Sequence, residues 1–281
     1  MTDAVVASLA VYPLKGARGI DVDHARVDIP GLSTGGVGDR EWMAVDATGR
    51  FVSQREHPDL CLVGTAVRDA AVELDFPGAP PLSLPPDPSG STREVVVWNS
   101  RIRGLDAGDV AAGWLSRALR ADVRIVRFDP SDRRACHRDY AGDSGAHTRF
   151  ADGYPILVIG QASLDELNRR LGERGIAPMP MRRFRPNLVV AGLEPHDEDH
   201  LDTIEVDGVV LRLVKPCTRC QVTTVDPGTG HTGREPLATL AAYRQDERAG
   251  GVTFGMNAIV VEGAGRPLAV GGRARCAYRF D

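Results

Sequence analysis

The chain has 281 residues, of which 42% are hydrophobic and 26% are charged, and this composition predicts a globular protein with one large or two ordinary domains. Its formal net charge is -4, so no global positive field favours nucleic acid or an anionic membrane, and neither is expected as a partner. The first residues form no basic leader, and no segment reaches the roughly 20 apolar residues of a membrane span, which predicts a cytoplasmic protein.

The first half of the sequence has the short alternating segments and turn residues that are typical of a β-rich domain. Strands are predicted at residues 5–12, 25–29, 42–45, 51–55, 60–66, 71–74 and 94–97. Residues 76–91 are rich in proline and are predicted to form a surface loop. A helix is predicted over residues 110–120, with Asp109 as its N-cap, and a strand follows at residues 123–128.

The second half opens with a polar segment, residues 129–149, that contains Cys136, His137 and His147. These are metal-ligand types, but their spacing is irregular. A solvated or lid-like loop is therefore favoured over a metal site for this segment.

The remaining elements follow from caps and apolar periodicity. A capping box at Ser163 predicts a helix over residues 163–171, and Pro236 suits the first position of a helix that runs to about residue 243. Residues 194–202 are acidic and are predicted to be solvated. Strands are predicted at residues 156–159, 188–191, 257–262, 267–270 and 275–280.

A hairpin is predicted just ahead of Cys217-Thr218-Arg219-Cys220. Its strands are residues 203–206 and 209–213. They are joined by Asp207-Gly208, a pair that suits the positive φ angles of a two-residue turn. Pro216 is predicted to end the second strand, and residues 221–225 to resume an extended one. The two thiols should then lie on a short irregular connection, where they can reach a ligand.

Three chemistries are open to this pair of cysteines. A redox dithiol prefers a helix directly after the first cysteine, and the following residues have a β pattern instead. A structural zinc site needs four ligands, and the sequence has no second pair at suitable spacing. The third possibility is one thiolate ligand, with the other cysteine structural.

Lysine is rare in this chain. Of 34 basic residues only Lys15 and Lys215 are lysines. Lysine carries a compact ammonium group on a flexible side chain, whereas arginine carries a larger planar guanidinium group. These two positions could therefore belong to a site that requires the smaller ammonium group. Chance retention of two exposed lysines explains the pattern equally well.

Five segments occur together in an order that is seen in one protein family. They are Tyr12-Pro13-Leu14-Lys15, Asp39-Arg40, residues 151–155, residues 184–187 and residues 215–227. In this respect the chain resembles the MOSC-domain molybdenum proteins, in the branch of the mitochondrial amidoxime-reducing component and its bacterial relatives. The resemblance implies a mainly β (α+β) fold, with a MOSC β-barrel over residues 127–281 and a MOSC N-terminal β-rich domain over residues 1–126. Residues 1–40 are expected to pack with the C-terminal barrel.

The resemblance also implies a molybdenum cofactor of the Mo-molybdopterin type; pyridoxal phosphate is not expected. Cys220 matches the metal ligand and would be catalytic, while Cys217 would either support that ligand from behind or only pack against the protein. Asp152 is a candidate for handling protons or contacting substrate, unless it only caps the following turn. The implied cofactor-binding residues, besides Cys220, are Lys15, Arg40, Gly153, Tyr154, Arg185, Asn187, Thr218 and Arg219. Gly16 and Gly153-Tyr154 stand where relatives often carry hydroxyl side chains, so backbone N–H groups would replace them.

The activity implied by the resemblance is a molybdenum-dependent reduction of N-hydroxylated compounds, such as hydroxylamines, amidoximes and N-hydroxylated bases, to amines. No fused ferredoxin domain is expected, because Cys276 is the only cysteine near the end of the sequence. Electrons would therefore come from a separate donor, a ferredoxin or a flavin reductase. Two alternatives stay open: a molybdopterin or sulfur carrier without reductase activity, and a β-rich binding module with a zinc-bound cysteine pair.

Overall fold

The computed structural model describes residues 2–88 and 90–279. The strands of the N-terminal half are β1 (Thr2–Val11), β2 (Ile20–Val22), β3 (His24–Asp28), β4 (Gly31–Thr34), β5 (Val37–Gly38), β6 (Trp42–Val45), β7 (Gly64–Arg68), β8 (Ala71–Phe76), β9 (Ala79–Leu84), β10 (Thr92–Val97) and β11 (Ser100–Asp106). Those that follow are β12 (Arg124–Phe128), β13 (Arg134–Ala135), β14 (His147–Thr148), β15 (Ile156–Gly160), β16 (Leu188–Ala191), β17 (Leu201–Val206), β18 (Val209–Thr218), β19 (Gln245–Asp246), β20 (Gly251–Glu262), β21 (Pro267–Ala269) and β22 (Arg273–Tyr278).

Helices are fewer and shorter. The α-helices are α1 (Asp109–Leu119), α2 (Arg138–Ala141), α3 (Gln161–Glu173) and α4 (Leu237–Ala241). The 3-10 helices are Pro58–Leu62, Met181–Arg183, Asp197–His200 and Gln221–Thr224. In the part of the chain that the structure describes, no helix has the length and apolar character that crossing a membrane would require.

Seven strands close into a barrel, which confirms the predicted mainly β fold. Their order is β15-β16-β1-β22-β17-β18-β20, and β20 pairs back onto β15. The β15–β16 pair is parallel and is connected through α3, whereas the other neighbours in the ring are antiparallel. Closure leaves no free strand edge in the ring. The interior is filled by fully buried aliphatic side chains, including Val6, Leu9, Val158, Leu188, Ile204 and Leu211.

Strand β1 belongs to this barrel although it comes first in the chain. Val5 lies opposite Ala191 of β16, and Ala4 lies opposite Ala274 of β22. The end of β1 therefore leads directly to the mouth of the barrel. The division of the chain at residue 126 stays a prediction.

Outside the barrel, smaller sheets pack around α1. One is four-stranded, in the order β10-β11-β12-β6, and another is the meander β7-β8-β9. Helix α1 buries Trp114 and Leu115 against Trp42 and Leu74 in a second core. The N-cap of α1 is Gly108 rather than the predicted Asp109, which lies in the first turn, where a carboxylate favours the helix dipole.

Three predictions for the N-terminal half are wrong. The predicted strand 60–66 begins as the 3-10 helix Pro58–Leu62 and becomes extended only in β7. The predicted strand 51–55 forms only an isolated bridge between Val45 and Phe51. The predicted loop 76–91 contains β9, a proline-bearing strand that pairs, among the described residues, only with β8. Proline is compatible with such an edge position because a missing N–H is not needed there.

Corrections also apply to the C-terminal half. Helix α3 is capped at Gly160 rather than at Ser163, whose hydroxyl instead donates to Glu198 Oε2 at 2.7 Å. Glu198 is fully buried, so the acidic stretch 194–202 is not uniformly solvated. The predicted last strand ends at Tyr278, and Phe280 lies outside the described residues.

The polar segment 129–149 is folded rather than a plain loop. It contains the small ladder β13–β14 and helix α2. Cys136 is buried in it, whereas the His137 side chain is largely exposed. Among residues 2–88 and 90–279, no three His, Cys, Asp or Glu side chains come together in a metal-binding group, here or elsewhere.

One half-buried histidine outside the barrel mouth, with both ring nitrogens buried, is expected to make stability depend on pH. His196 has a φ of 67°, and its ring lies 5.6 Å from that of Tyr243 and 6.1 Å from that of Phe254. Neither ring nitrogen has a hydrogen-bond partner among the described residues. Burial lowers the pKa of His196 to about 4, so the folded state favours the neutral ring.

We expect His196→Asn to remove part of the acid sensitivity of the protein. In the unfolded wild-type chain, His196 binds a proton below about pH 6.5. In the folded chain it binds that proton only below about pH 4, so stability is lost as the pH falls from 6.5 to 4. Asparagine does not titrate there and tolerates a positive φ. Urea unfolding of both proteins at pH 7 and pH 4.5 gives the free energy of unfolding at each pH. Its decrease from pH 7 to pH 4.5 should be larger for the wild type than for the variant by about 2.5 kcal/mol. Equal losses would contradict this assignment.

Candidate functional site

An open cleft of about 930 Å³ lies at the mouth of the barrel. Residues from widely separated parts of the chain line it. All ten residues that the sequence singles out are among them: Lys15, Arg40, Asp152, Gly153, Tyr154, Arg185, Asn187, Thr218, Arg219 and Cys220. The fold thus brings the complete predicted set to one place. The role of each residue stays a prediction.

A buried carboxylate joins three of the segments that build the cleft. Asp39 Oδ1 accepts hydrogen bonds from the Tyr12 backbone N–H and from Asn187 Nδ2, both at 2.9 Å. Asp39 Oδ2 accepts from Arg40 Nη1 at 2.6 Å. Asn187 also accepts from Arg40 Nη1 at 3.1 Å through Oδ1. Asp39 therefore holds the end of β1, the Arg40 turn and the start of β16 in fixed positions.

Two guanidinium groups share one aromatic ring beside this carboxylate. Arg40 Cζ and Arg185 Cζ lie 4.2 and 4.3 Å from the ring centroid of Tyr12. Burial, reinforced by the charge of Arg40, lowers the pKa of Arg185 to about 10. Arg185 Nη2 is buried and has no partner among the described residues. An anion placed here would relieve the repulsion and satisfy the free donor.

An ion pair spans the cleft from Lys15 to Asp152. Lys15 Nζ lies 2.6 Å from Asp152 Oδ1, with the lysine side chain 11% exposed and the carboxylate side chain 76% exposed. Burial lowers the pKa of Lys15, against the opposing effect of Asp152. For Asp152, desolvation raises the pKa, but the charge of Lys15 and the hydrogen bonds from Lys15 and Trp98 together hold it below its usual range. Asp152 is therefore ionised at neutral pH, and Lys15 keeps further N–H donors for a ligand.

Arg134 anchors the backbone that carries Asp152. Its guanidinium donates to the carbonyl oxygens of Arg149, at 3.2 Å, of Ala151, and of Asp152, at 2.6 Å. The Arg134 side chain is buried. Sequence reasoning missed it because the surrounding segment has the composition of a solvated loop.

The cysteine pair lies on a different backbone from the one predicted. Strand β18 continues through Pro216 to Thr218, with register shifts against β20 on both sides of the proline. Such bulges accommodate a residue that cannot donate to the ladder. The residues after Cys220 form the 3-10 helix Gln221–Thr224 instead of an extended segment. Thr223 stabilises this turn by donating to the Cys220 carbonyl oxygen through its N–H at 3.0 Å and its hydroxyl at 2.9 Å.

The two thiols have different surroundings. Cys217 Sγ accepts a hydrogen bond from Arg219 Nη1 at 3.0 Å and packs beside the core under α3. Arg219 Nη2 donates to the Phe184 carbonyl oxygen at 2.6 Å, and Arg219 Nε is buried without a partner among the described residues. Cys220 is partly exposed at the start of the 3-10 helix. Both cysteines are partly exposed and line the cleft, and they differ in that Cys217 accepts the hydrogen bond from Arg219.

Gly153 and Tyr154 lie next to Asp152 but differ in what they offer. Gly153 is open on the side where a Cβ would stand. The Tyr154 side chain is buried near Tyr140, with ring centroids 6.4 Å apart, and burial raises the pKa of its hydroxyl. We therefore expect a ligand to contact Tyr154 through its backbone.

Sequence reasoning also missed one complete wall of the cleft. It is formed by Phe51, Val52, Ser53, Gln54 and Arg55, and Asn257 of β20 contributes from the opposite half of the chain. Gln54 Nε2 donates to the Gly16 carbonyl oxygen at 2.5 Å, which fixes the wall against the Lys15 turn. The Phe51–Arg55 stretch gave no signal beyond a predicted strand.

Comparison with known proteins identifies the class of this molecule. Residues 3–122 match the MOSC N-terminal beta barrel domain, and residues 145–274 match the MOSC domain. The chain is therefore a MOSC-domain protein. One relative is the mitochondrial amidoxime reducing component 2 of Bos taurus, which is 34% identical over 85% of this chain and 72% of its own length. Another is the mitochondrial amidoxime-reducing component 1 of Mus musculus, which is 35% identical over 85% of this chain and 71% of its own length. The chain belongs to the family of these amidoxime-reducing components.

Among solved structures, the YUAD protein from Bacillus subtilis covers 97% of this chain and 93% of its own, at 12% identity and a TM-score of 0.39. Likeness at that level supports no statement about function.

We expect Arg134→Met to destabilise the protein by about 3 kcal/mol, because three backbone carbonyl groups would lose their donor. The neighbouring Arg133 is a matched control, since it is exposed and, among the described residues, its side chain donates only to the Gly145 carbonyl oxygen, at 2.7 Å. Arg133→Met should cost less than about 1 kcal/mol. Urea unfolding at pH 7 measures both, and equal costs would show that Arg134 does not hold the Asp152 segment.

Proposed function

We propose that this protein is a molybdenum-cofactor-dependent oxidoreductase that reduces N-hydroxylated compounds. The substrates are hydroxylamines, amidoximes and N-hydroxylated bases, and a separate donor protein, a ferredoxin or a flavin reductase, provides the electrons. The observation that carries the proposal is the convergence of all ten predicted residues on one cleft, in a chain whose relatives are named amidoxime-reducing components. A cytoplasmic location is part of the proposal, although the relatives are named mitochondrial.

The donor set of the cleft fits a phosphorylated, sulfur-rich cofactor. Arg185 Nη2 and Arg219 Nε are buried cationic donors without partners among the described residues, and a phosphate group would satisfy them. Cys220 offers a soft thiolate of the kind that molybdenum favours. Lys15, Arg40 and Asn187 would complete the polar contacts.

When bound, the cofactor would supply the two-electron chemistry. Reduction of an N–OH group to N–H releases water and consumes two electrons and two protons. The ionised and exposed Asp152 would accept a hydrogen bond from the N-hydroxyl or amidine group, which orients the substrate and keeps Lys15 charged. In this proposal Asp152 contacts the substrate, and Lys15 holds that carboxylate in place.

The metal assignment predicts unequal effects at the two cysteines. Expressed in a host that makes the cofactor, Cys220→Ser should contain almost no molybdenum, whereas Cys217→Ser should retain most of it. Elemental analysis of the purified proteins, with thermal melts to confirm folding, measures this difference. Undiminished molybdenum in folded Cys220→Ser would refute the assignment, and zinc without molybdenum in the wild type would favour the zinc-bound binding module.

A second variant tests the proposed role of the carboxylate. Asp152→Asn should retain molybdenum but reduce a model amidoxime about 100-fold more slowly with an artificial electron donor, as expected for loss of a positioned charged group. Asp139, with a side chain 79% exposed on α2, is the control, and Asp139→Asn should leave turnover unchanged. Unchanged turnover in Asp152→Asn would remove this residue from the reaction. A molybdenum-loaded wild type that fails with every donor would favour the cofactor or sulfur carrier instead.

A further inference from the structure

Trp98 occupies a backbone position that favours glycine. It is the first residue of the two-residue turn between β10 and β11, and its φ is 55°. Bulky residues rarely adopt this conformation, and two-residue hairpin turns prefer glycine or asparagine there. Trp98 is also 44% exposed, whereas Trp42 and Trp114 are buried. Neither backbone preference nor core packing accounts for a tryptophan at this turn, and strained residues of this kind cluster at ligand sites.

The contacts of Trp98 connect it to the cleft. Its ring centroid lies 5.0 Å from that of Phe51 and 5.0 Å from Arg55 Cζ. Its indole Nε1 donates to Asp152 Oδ1 at 3.2 Å. Phe51, Arg55 and Asp152 all line the cleft, so Trp98 stands at its rim.

Arg55 brings a positive charge to this rim. In residues 2–88 and 90–279, no carboxylate pairs with the Arg55 guanidinium. This group lies over the Trp98 ring instead. Arg55 therefore adds an uncompensated cation to an aromatic surface. Arg and Trp planes both stack on flat unsaturated groups.

We infer that Trp98, Phe51 and Arg55 form a substrate subsite for a planar unsaturated group, such as an aromatic ring or a heterocyclic base. This inference rests on the proposed function and adds a preference among its substrates. The hydrogen bond from Trp98 to Asp152 places the stacking surface and the polar acceptor within the length of one small ligand. An aromatic amidoxime can stack at the rim while its N-hydroxyl end faces Asp152, whereas an aliphatic amidoxime gains only the second contact.

The test compares benzamidoxime with acetamidoxime as substrates of the molybdenum-loaded protein with an artificial donor. We expect the wild type to have a kcat/KM ratio that favours benzamidoxime, and Trp98→Ala to reduce that ratio about tenfold, mainly through KM. Trp98→Phe keeps a ring but loses the indole N–H, so it should keep most of the preference. Val110→Ala, at an exposed apolar position of α1, is the surface control and should match the wild type.

Two kinetic outcomes would overturn the inference. In one, Trp98→Ala keeps the wild-type ratio. In the other, both Trp98 variants lose rate equally on both substrates, which would mean that Trp98 acts only by positioning Asp152. Thermal melts of each variant show whether a loss of activity comes from a loss of folding. If Trp98→Ala does not fold, the substrate preference of Trp98→Phe decides the result.

A binding measurement separates this inference from the proposed function. Trp98 is the exposed one of the three tryptophans, so a ligand stacked on it should quench the intrinsic fluorescence of the wild type. Benzamidoxime should quench this emission in a saturable way, acetamidoxime should not, and Trp98→Phe should abolish the effect. If this quenching is seen but no amidoxime is reduced, the subsite is supported and the proposed reductase activity is refuted. If amidoximes are reduced without any quenching, the proposed activity is supported and the subsite is refuted.

Discussion

The site depends on the buried carboxylate of Asp39. Its oxygens accept hydrogen bonds from the backbone of Tyr12 and the side chains of Arg40 and Asn187. These groups belong to three segments that lie far apart in sequence, and each carries or adjoins a predicted cofactor contact. Because a buried carboxylate is stable only with such partners, the interaction fixes all three segments or none of them. The cationic cleft is a consequence of that junction.

Cations are concentrated in the cleft although the chain as a whole is negatively charged. Lys15, Arg40, Arg185 and Arg219 converge there, and burial lowers the pKa of both Lys15 and Arg185. Aromatic faces, backbone carbonyls and two carboxylates compensate most of this charge. The donors left without partners mark where an anionic ligand would be held. The local field, rather than the net charge, therefore governs what this protein can bind.

Sequence reasoning succeeded where local pattern and tertiary structure agree. Strand β6 has the predicted bounds, and both Asp207 and Gly208 have the positive φ of the predicted turn. It failed where side chains override local propensity. The β-branched run after Cys220 forms a 3-10 helix because Thr223 and Thr224 donate their hydroxyls to carbonyl oxygens three residues earlier. The roles of Arg134 and Trp98 depend on contacts across 18 and 54 residues of sequence, which no local pattern encodes.

The position of β1 in the barrel also constrains when the molecule can mature. Its neighbours are β16 and β22, so the ring closes only with Arg273–Tyr278, near the last described residues. During synthesis on the ribosome, the first strand must wait until Arg273–Tyr278 has emerged. Such high contact order slows folding. The cleft at the barrel mouth can therefore reach its final shape only after β22 has joined β1.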